Sequence, residues 1–203
     1  YLDADDMMHK DKIKTQVEFM ESHPEFMLVS CGGITYNDRF EALCAFRIKS
    51  FESVKIMRYG QALPLLPATS MARLDRAKIF SYNHKLDVGE DYDYFARYCE
   101  GYRYANIGKP LYYYLTGNVT AKKILYYQIS NLKSIGVHWK MGLRLKAITL
   151  LLTGVLKITA YAILLLFVKA NKLAEKRSGG KITNEMVETF EQETAVIRQI
   201  SRL

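Results

Sequence analysis

The chain opens with Tyr1-Leu2-Asp3-Ala4-Asp5-Asp6, in which a hydrophobic strand end runs directly into three closely spaced carboxylates. Such carboxylates repel one another unless a positive charge lies between them, and a hard divalent cation, Mg²⁺ or Mn²⁺, fits best. In a strand, residues i and i+2 point the same way, so Asp3 and Asp5 would converge on one ion. The pattern predicts a metal and diphosphate site, with capping of the next helix by Asp5 or Asp6 as the alternative.

The basic excess of the chain is local. The 203 residues are 49% hydrophobic and carry a net charge of +8. Residues 118–181 hold 12 of the 29 Lys and Arg but one of the 21 acids, so this segment carries +11 and the rest −3. Because the basic residues flank the most apolar stretch, they indicate anionic lipid. No recognised RNA or DNA motif is present, and we expect no nucleic-acid partner.

The cysteines indicate a reducing compartment. Cys31, Cys44 and Cys99 lack CxxC spacing and a His partner at ligand distance, so we expect buried thiols. The chain also begins without Met, in what reads as the middle of a strand. We therefore expect that an N-terminal part precedes Tyr1.

Helix and strand patterns alternate along the chain. Ile13, Val17 and Met20 at helical spacing predict an amphipathic helix that ends at Ser22-His23-Pro24. The further predictions are a buried strand at 26–31 with Gly32-Gly33 as its loop, a short helix at 50–59 closed by Gly60, a strand or turn at 68–71, a helix at 92–100 with Gly101 as C-cap, and strands at 104–107 and 111–114 separated by Gly108-Lys109-Pro110.

A second acidic motif, Gly89-Glu90-Asp91-Tyr92-Asp93, stands at the start of a predicted helix. Acids are favoured there by the helix dipole, so capping alone could explain them. A carboxylate at a loop-to-helix edge can also accept a proton from a bound hydroxyl, which is the placement that a general base needs. Arg97 could reach back to the acidic site or pair with Asp93 at i+4.

Taken together, these motifs and the elements between them resemble the family 2 glycosyltransferases of the GT-A fold, over residues 1–123. The resemblance is carried by Leu2-Asp3-Ala4-Asp5-Asp6, Ser22-His23-Pro24-Glu25, Leu28-Val29-Ser30-Cys31-Gly32, Thr69-Ser70-Met71, Gly89-Glu90-Asp91-Tyr92-Asp93 with Arg97, and Ala105-Asn106-Ile107-Gly108-Lys109-Pro110-Leu111-Tyr112-Tyr113-Tyr114. The expected fold is α/β, a nucleotide-diphospho-sugar transferase (GT-A) fold that is N-terminally truncated and followed by C-terminal membrane-associated helices.

The resemblance implies a metal-dependent, inverting transfer of a sugar from a nucleotide-diphosphate donor to an acceptor hydroxyl. Asp3 and Asp5 match the family's DxD motif: Asp5 would hold Mg²⁺ or Mn²⁺ on the diphosphate, and Asp3 would help to place ribose and metal. Asp91 matches the catalytic base.

The other residues carried over have supporting roles. Glu90 would orient the base or the acceptor, and Arg97 would pair with the acidic site. Thr69 and Ser70 would lie near the acceptor, with ordinary strand polarity as the alternative. Asp6 would either cap the next helix or support the metal ligands. A cell-surface polysaccharide or a lipid-linked glycan is the product class that the resemblance implies.

The chain departs from the family pattern at three places. Lys10 stands where the family often has Pro, and Leu115 and Thr116 stand where an Arg often follows the Tyr run. The nucleotide-binding half of the family precedes the DxD motif, and at ~30 residues per βαβ unit about 90 residues would be missing here. We therefore expect activity of the intact protein and none of this fragment alone.

The stretch 147–168 contains 22 residues with one charge, Lys157, which is long enough to cross a bilayer. A Lys in the middle of a span costs ~3 kcal/mol on insertion scales. Because both flanks are also basic, we favour a helix lying in the cytoplasmic interface over a true span. Packing on the domain or on a partner is the third alternative. Either membrane arrangement would bring the protein to a lipid-linked acceptor.

A terminal helix is predicted after a flexible break at Ser178-Gly179-Gly180, with Thr183 as its cap. Its apolar stripe predicts self-association or partner binding through 183–203, with simple packing as the alternative; the stripe comprises Met186, Val187, Phe190, Ala195, Ile197 and Ile200. The predicted organisation is an acceptor-side half of a GT-A domain at 1–120, a basic and hydrophobic helical region at 121–177, and a terminal amphipathic helix at 178–203.

Two other functions compete with sugar transfer. A different metal enzyme acting on nucleotide diphosphates, such as a nucleotidyltransferase, would share the DxD motif without needing Asp91. A non-catalytic, membrane-associated interaction protein would use its terminal helix and bind neither cation nor nucleotide. Neither alternative explains the order of the sequence blocks.

Overall fold

The fold is mixed α/β, with one six-stranded sheet and helices on both of its faces. The computed structural model describes residues 2–52, 56–57, 65–84, 86, 90–116, 120–140, 144–168 and 180–200. The strands are β1 (Met7–Met8), β2 (Phe26–Tyr36), β3 (Ala42–Phe46), β4 (Phe51–Glu52), β5 (Met71–Ala72) and β6 (Arg103–Leu115). The helices are α1 (Lys12–Ser22), α2 (Leu74–Ala77), α3 (Glu90–Tyr98), α4 (Ala121–Lys140), α5 (Arg144–Phe167) and α6 (Asn184–Ile200), with a 3₁₀ turn at Pro67–Thr69.

Two long strands form the centre of the sheet. β2 and β6 pair in parallel, and every other pairing is antiparallel. β5 and β3 pair with successive parts of β2, while β4 and β1 pair with successive parts of β6. Because β1 follows the acidic turn at residues 3–6 and lies along β6, the turn is fixed at the edge of the sheet.

The prediction that β2 ends before Gly32-Gly33 is wrong, because the strand continues through both glycines to Tyr36. A Cβ on Gly33 would lie 2.4 Å from the Phe46 ring and 2.5 Å from the Tyr112 carbonyl oxygen. The glycines therefore serve close packing within the sheet rather than a turn.

We expect Gly33→Ala to destabilise the fold by ~1–3 kcal/mol, since the backbone oxygen of Tyr112 cannot yield as a flexible side chain would. Gly101→Ala is a useful comparison, because Gly101 has φ +82° but a Cβ there would meet nothing within 4 Å, so only backbone strain of about 1 kcal/mol applies. Equilibrium unfolding in detergent measures the free energy of unfolding of both variants. Equal stability of Gly33→Ala and wild type would contradict the close packing.

The two strands predicted at 104–107 and 111–114 are one strand. β6 runs through Gly108-Lys109-Pro110 to Leu115. In its pairing with β2, Ile107 lies opposite Cys31 and Pro110 lies opposite Gly32, so Gly108 and Lys109 form a bulge. The bulge accommodates the residues that had suggested a loop, and the strand resumes beyond it.

The short helix predicted at 50–59 is wrong where the structure describes it. Phe51–Glu52 is strand β4, paired with Asn106 and Ala105 of β6, and Met57 forms a bridge to Glu100. Residues 53–55 and 58–60 of that prediction lie outside the described residues. The strand or turn predicted at 68–71 is confirmed as the 3₁₀ turn followed by β5.

Helix α1 is confirmed, including its end at Ser22, but its buried face differs from the predicted one. Of the predicted stripe, Met20 is buried, but Ile13 and Val17 are exposed, and Lys12 and Gln16 are buried in their place. Gln16 donates from Nε2 to the carbonyl oxygens of Val29 (3.3 Å) and Thr69 (2.9 Å), and its Oε1 accepts from Lys12 Nζ at 2.9 Å. Hydrogen bonds to backbone acceptors therefore allow a polar face to point inward.

Helix α3 is confirmed, although it begins at Glu90 and ends at Tyr98. Its inner face joins the largest core cluster of the described residues through Tyr94, Phe95 and Tyr98, which pack with Leu28 of β2. Gly101, the predicted C-cap, has φ +82° but lies beyond the helix end, and its N–H donates to the Met57 carbonyl oxygen at 2.9 Å. This packing fixes the orientation of the α3 N-terminus relative to the sheet.

The cysteines are free thiols. Cys31 and Cys99 are buried, as predicted, and burial raises the pKa of Cys31 to about 11 and of Cys99 to about 12. Cys44 is half-buried, and its sulfur lies 2.9 Å from the Thr35 hydroxyl. The buried environments of Cys31 and Cys99 disfavour a thiolate at neutral pH.

Helices α4 and α5 pack closely. A Cβ on Gly154 would lie 2.4 Å from Leu132 Cδ2, so the two helices approach each other at that point. Among the described residues, Ala147–Phe167 is the segment that is long and apolar enough to cross a membrane by length and composition, and its most apolar window is not buried. Its exposed side chains include Leu156 (69%) and Phe167 (81%). Residues 169–179 lie outside the described part. Of the flexible break predicted at Ser178-Gly179-Gly180, Gly180 is described, and it forms an antiparallel bridge with Ala45 of β3.

The terminal helix α6 packs on the chain's own sheet. Thr183 Oγ1 accepts from the Met186 N–H at 3.3 Å, which confirms Thr183 as the cap. Phe190 is fully buried against Ile34, Tyr36 and Tyr113. The packing alternative therefore accounts for the centre of the stripe, and self-association through 183–203 stays a prediction.

Candidate active site

The acidic motif forms a tight turn at the edge of the sheet. The Asp6 N–H donates to the Asp3 carbonyl oxygen at 3.1 Å, and the Tyr36 hydroxyl donates to the Asp5 carbonyl oxygen at 3.3 Å. The side chains of Asp3 and Asp5 are exposed. The turn thus presents two carboxylates to solvent from a backbone held by hydrogen bonds. Tyr1 lies outside the described residues.

Asp6 anchors this turn and does not cap a helix. Its carboxylate accepts from the Tyr112 hydroxyl at 2.6 Å and from the Leu115 N–H at 2.8 Å, so the turn is tied to β6. Burial raises the pKa of Asp6; these hydrogen bonds oppose the shift, and the charges of Asp5 and Asp3 add to it. Helix α1 has Asp11 at its N-cap position instead.

We expect Asp6→Ala to destabilise the chain by about 2 kcal/mol, because it leaves the Tyr112 hydroxyl and the Leu115 N–H without their acceptor. Removal of a buried charge offsets part of the loss. Asp38→Ala, on the exposed β2–β3 turn, is the control and should change stability by less than about 0.5 kcal/mol. Thermal unfolding of both variants tests this, and equal effects would rule out the anchoring role.

Asp91 lies in the first turn of α3 and is half-buried. Burial raises its pKa most; the Tyr92 N–H, which donates to Oδ1 at 2.7 Å, lowers it, and the charges of Glu90 and Asp3 raise it. Although 88 positions separate them in sequence, Asp3 and Asp91 therefore lie within electrostatic reach of each other. Asp3 is the weakest of the charges that act on Asp91, and it links the two acidic motifs electrostatically.

Glu90 and Arg97 occupy different positions relative to this pair. Glu90 begins α3 beside Asp91 and contributes to its raised pKa. The Arg97 guanidinium pairs with Asp93, at 3.0 Å from Nε and 2.9 Å from Nη2, and donates to the Ser81 carbonyl oxygen at 2.8 Å. Of the two partners predicted for Arg97, the structure selects Asp93. Gly89 lies outside the described residues.

Thr69 and Ser70 are buried in the 3₁₀ turn and just after it. Both hydroxyls donate to the Leu66 carbonyl oxygen at 2.9 Å, and Thr69 Oγ1 also lies 2.9 Å from Ser30 Oγ. The side chains thus hold the backbone of the turn, and direct contact of either hydroxyl with an acceptor would require rearrangement. This geometry favours the structural alternative for both residues.

Two residues beside Asp91 were given no role by the sequence patterns. Arg47, in the loop after β3, has an exposed side chain that donates to the Tyr92 hydroxyl. Tyr92 lay within the second acidic motif, but nothing in the motif distinguished it from a helix residue that packs in the core. Arg47 belongs to no motif, and its proximity to α3 follows from the pairing of β3 with β2.

The donor set of Asp3 and Asp5 fits a hard divalent cation. Among the described residues no group of three or more His, Cys, Asp or Glu side chains is clustered as a metal site. Mg²⁺, however, is commonly bound through one or two carboxylates, several waters and the phosphates of a substrate. Two exposed carboxylates on a fixed turn meet that requirement, provided that a diphosphate supplies further oxygens.

Comparison with known proteins leaves the site geometry as the main guide to function. No protein-family model matches the chain. A search of curated proteins also gives no significant match.

Proposed function

We propose that the protein is a glycosyltransferase of the family 2, GT-A type, which moves a sugar from a nucleotide-diphosphate donor to an acceptor hydroxyl with inversion. The observation that carries the proposal is that the charge of Asp3 acts on Asp91. This interaction links an exposed pair of carboxylates on a sheet edge to a half-buried carboxylate on a helix. The order of the sequence blocks supports the same assignment.

In this proposal Asp91 is the general base. Its carboxylate takes the proton of the acceptor hydroxyl while that oxygen forms a bond to the anomeric carbon of the donor sugar. The bond from that carbon to the diphosphate oxygen breaks, and the nucleoside diphosphate leaves with the electron pair. The raised pKa of Asp91 suits this role, because a stronger base accepts the proton more readily.

Asp3 and Asp5 would hold Mg²⁺ or Mn²⁺ in this proposal. The metal would supply charge neutralisation on the departing diphosphate. Asp6, bonded to Tyr112 and Leu115, keeps the turn in place on β6. Glu90 would orient the base or the acceptor. Arg97, which pairs with Asp93, would act on the site through that residue.

We place the protein at the cytoplasmic side of a membrane. The support is α5, whose exposed side chains are mostly apolar, and the surrounding excess of Lys and Arg. Exposed apolar surface of this extent marks a protein or membrane contact. We favour a helix lying in the interface over a helix across the bilayer, and either arrangement would bring the site to a lipid-linked acceptor.

The two competing functions find less support. A nucleotidyltransferase would need the carboxylates at residues 3 and 5 but not Asp91. A non-catalytic interaction protein would need neither site, and α6, its predicted contact surface, buries Phe190 within the chain.

The test is sugar transfer by the full-length natural protein in its own membranes. Radiolabelled UDP-, GDP- and dTDP-sugars are supplied with Mn²⁺, and label in lipid-linked and polymeric products is counted. We expect incorporation from one donor class and loss of incorporation in EDTA. Absence of label from every donor, with protein shown to be folded, would refute the proposal.

A further inference from the structure

We propose that Arg47 is a substrate-binding residue that contacts a phosphate or diphosphate group of the acceptor. The inference rests on the proposed function, since it places the acceptor on the Asp91 side of the site. It adds to the two acidic motifs a positive group that no sequence motif marks.

The backbone of Arg47 is in an unusual conformation. Its φ of 50° lies in the left-handed region, which non-glycine residues seldom occupy. Such outliers persist where the surroundings hold them, and they are concentrated at ligand-binding and catalytic sites.

Asn106 holds the strained loop in place. Its Nδ2 donates to the carbonyl oxygens of Arg47 at 2.8 Å and of Lys49 at 2.9 Å. Its Oδ1 accepts from Ser30 Oγ at 2.9 Å, and Ser30 in turn contacts Thr69. Asn106 is 3% exposed. A buried network from the 3₁₀ turn to the loop therefore fixes the Arg47 backbone.

Two glycines allow the loop to approach the sheet. A Cβ on Gly32 would lie 3.0 Å from the Arg47 carbonyl oxygen. At the β6 bulge, a Cβ on Gly108 would lie 2.5 Å from the Ser50 N, and the Gly108 N–H donates to Ser50 Oγ at 2.8 Å. The loop is thus pinned at both of its ends, which pre-organises the position of Arg47.

The side chain of Arg47 interacts with the helix residue that follows the proposed base. Its guanidinium donates to the Tyr92 hydroxyl, and Tyr92 follows Asp91 in α3. Arg47 is exposed, and Tyr92 is 38% exposed, so a ligand at Asp91 can reach both. This position is on the side of the proposed base, whereas the metal ligands Asp3 and Asp5 lie on the acidic turn.

An anionic group is what this arrangement recognises. A guanidinium presents several N–H donors in a planar fork that matches phosphate oxygens. The neighbouring carboxylates Glu90 and Asp91 would repel an anion, so a fixed cation is needed to receive one there. An acceptor held at the membrane by a lipid phosphate or diphosphate supplies that anion.

The test is the binding of farnesyl diphosphate to the full-length protein in detergent with EDTA, measured by calorimetry. EDTA removes the metal that donor-side binding would need. We expect Arg47→Ala to weaken farnesyl diphosphate about tenfold or more, as loss of a charged hydrogen bond does. Arg47→Lys should restore part of the affinity, and Tyr92→Phe should weaken it a few-fold. Binding of UDP, GDP or dTDP with Mn²⁺ should not change.

Arg39→Ala is the matched control, because Arg39 is exposed on the β2–β3 turn. It should bind farnesyl diphosphate as wild type does. Thermal unfolding checks that each variant is folded. If Arg47→Ala is unfolded, the affinities of Arg47→Lys and Tyr92→Phe test the inference instead. Three results would overturn the inference. They are wild-type affinity for farnesyl diphosphate in these variants, no binding of farnesyl diphosphate by wild type, or a loss of affinity confined to nucleoside diphosphate with Mn²⁺. Since binding needs no turnover, absence of sugar transfer would refute the proposed function alone.

Discussion

Asp91→Asn in the full-length protein is expected to lower the rate of sugar transfer by about 10²–10⁴-fold, the range in which a general base contributes. The amide has nearly the same shape as the carboxylate but cannot take the acceptor proton. The KM for the donor should stay close to the wild-type value, because Asp91 is not a proposed ligand of the nucleotide or the metal. Initial rates of nucleoside diphosphate release measure both constants.

The pH dependence of the rate gives a second readout of Asp91. Burial, with the charges of Glu90 and Asp3, raises the pKa of this carboxyl above 3.8. The base works only when ionised, so kcat/KM should rise with pH through the raised pKa and level off above it. Asp91→Asn should lose this rise of kcat/KM with pH.

The same pKa shift predicts that Asp91→Asn is slightly more stable than wild type. In the folded state the pKa of Asp91 is raised above its unfolded value. The ionised carboxylate therefore destabilises the fold at pH values above the folded-state pKa. The stability gain of the variant should be present there and should disappear as the pH falls below 3.8, where the carboxyl becomes protonated in both states.

Asp75→Asn is the control for this experiment, since Asp75 is an exposed acid in the first turn of α2. It makes the same chemical change and should alter the rate less than twofold. Full turnover by Asp91→Asn would contradict the base assignment and would favour a nucleotidyltransferase or another enzyme that needs only the metal site.

The second large effect is expected at the acidic turn. Asp5→Asn should weaken Mn²⁺-dependent binding of the nucleoside diphosphate by about 10²-fold or more, because a carboxylate contact to the metal contributes several kcal/mol. Asp3→Asn should have a similar or smaller effect. Calorimetry with UDP, GDP and dTDP, with Mn²⁺ and then with EDTA, measures the metal-dependent part of the affinity.

Asp38→Asn is the control for the acidic turn, because it removes an exposed carboxylate from the neighbouring β2–β3 turn. It should leave the affinity unchanged. If Asp5→Asn binds nucleoside diphosphate as tightly as wild type and Asp38→Asn do, the Asp5 carboxylate is not a metal ligand. In that case the non-catalytic alternative would become the better account.

The elements that sequence predicted best are those with strong local signals. Helix α1 ends at Ser22 because His23-Pro24 cannot continue it, and Gly101 takes the left-handed conformation that follows α3. Thr183 caps α6 through a short-range hydrogen bond. Each of these features depends on a few adjacent residues, so the chain alone is enough to predict it.

The features that sequence missed depend on distant partners. Gly32-Gly33 and Gly108 look like turn residues, but they lie within strands. Glycine is needed there because Phe46, Tyr112 and Ser50 approach the backbone closely. Lys12 and Gln16 are buried because carbonyl oxygens of β2 and the 3₁₀ turn accept from Gln16. A pattern of apolar residues carries no information on such acceptors.

In the candidate site, too, local features could be predicted from sequence and contacts between distant residues could not. The two acidic motifs could be found from sequence, since each lies on a short segment with a recognisable pattern. The anchoring of Asp6 by Tyr112 and the hydrogen bond between Arg47 and Tyr92 join residues that are 106 and 45 positions apart. Such contacts follow from the sheet topology, which no local pattern specifies.

The central claim is that Asp3 and Asp5 form a metal- and diphosphate-binding site beside Asp91, the proposed base. Its most direct test is the position of Mn²⁺ in crystals of the full-length protein grown with a nucleoside diphosphate, located by anomalous scattering. The account predicts a peak coordinated by the carboxylate of Asp5, beside Asp3 and on the side of the turn that faces Asp91. A Mn²⁺ ion bound to the diphosphate elsewhere on the protein, with Asp3 and Asp5 in solvent, would contradict it.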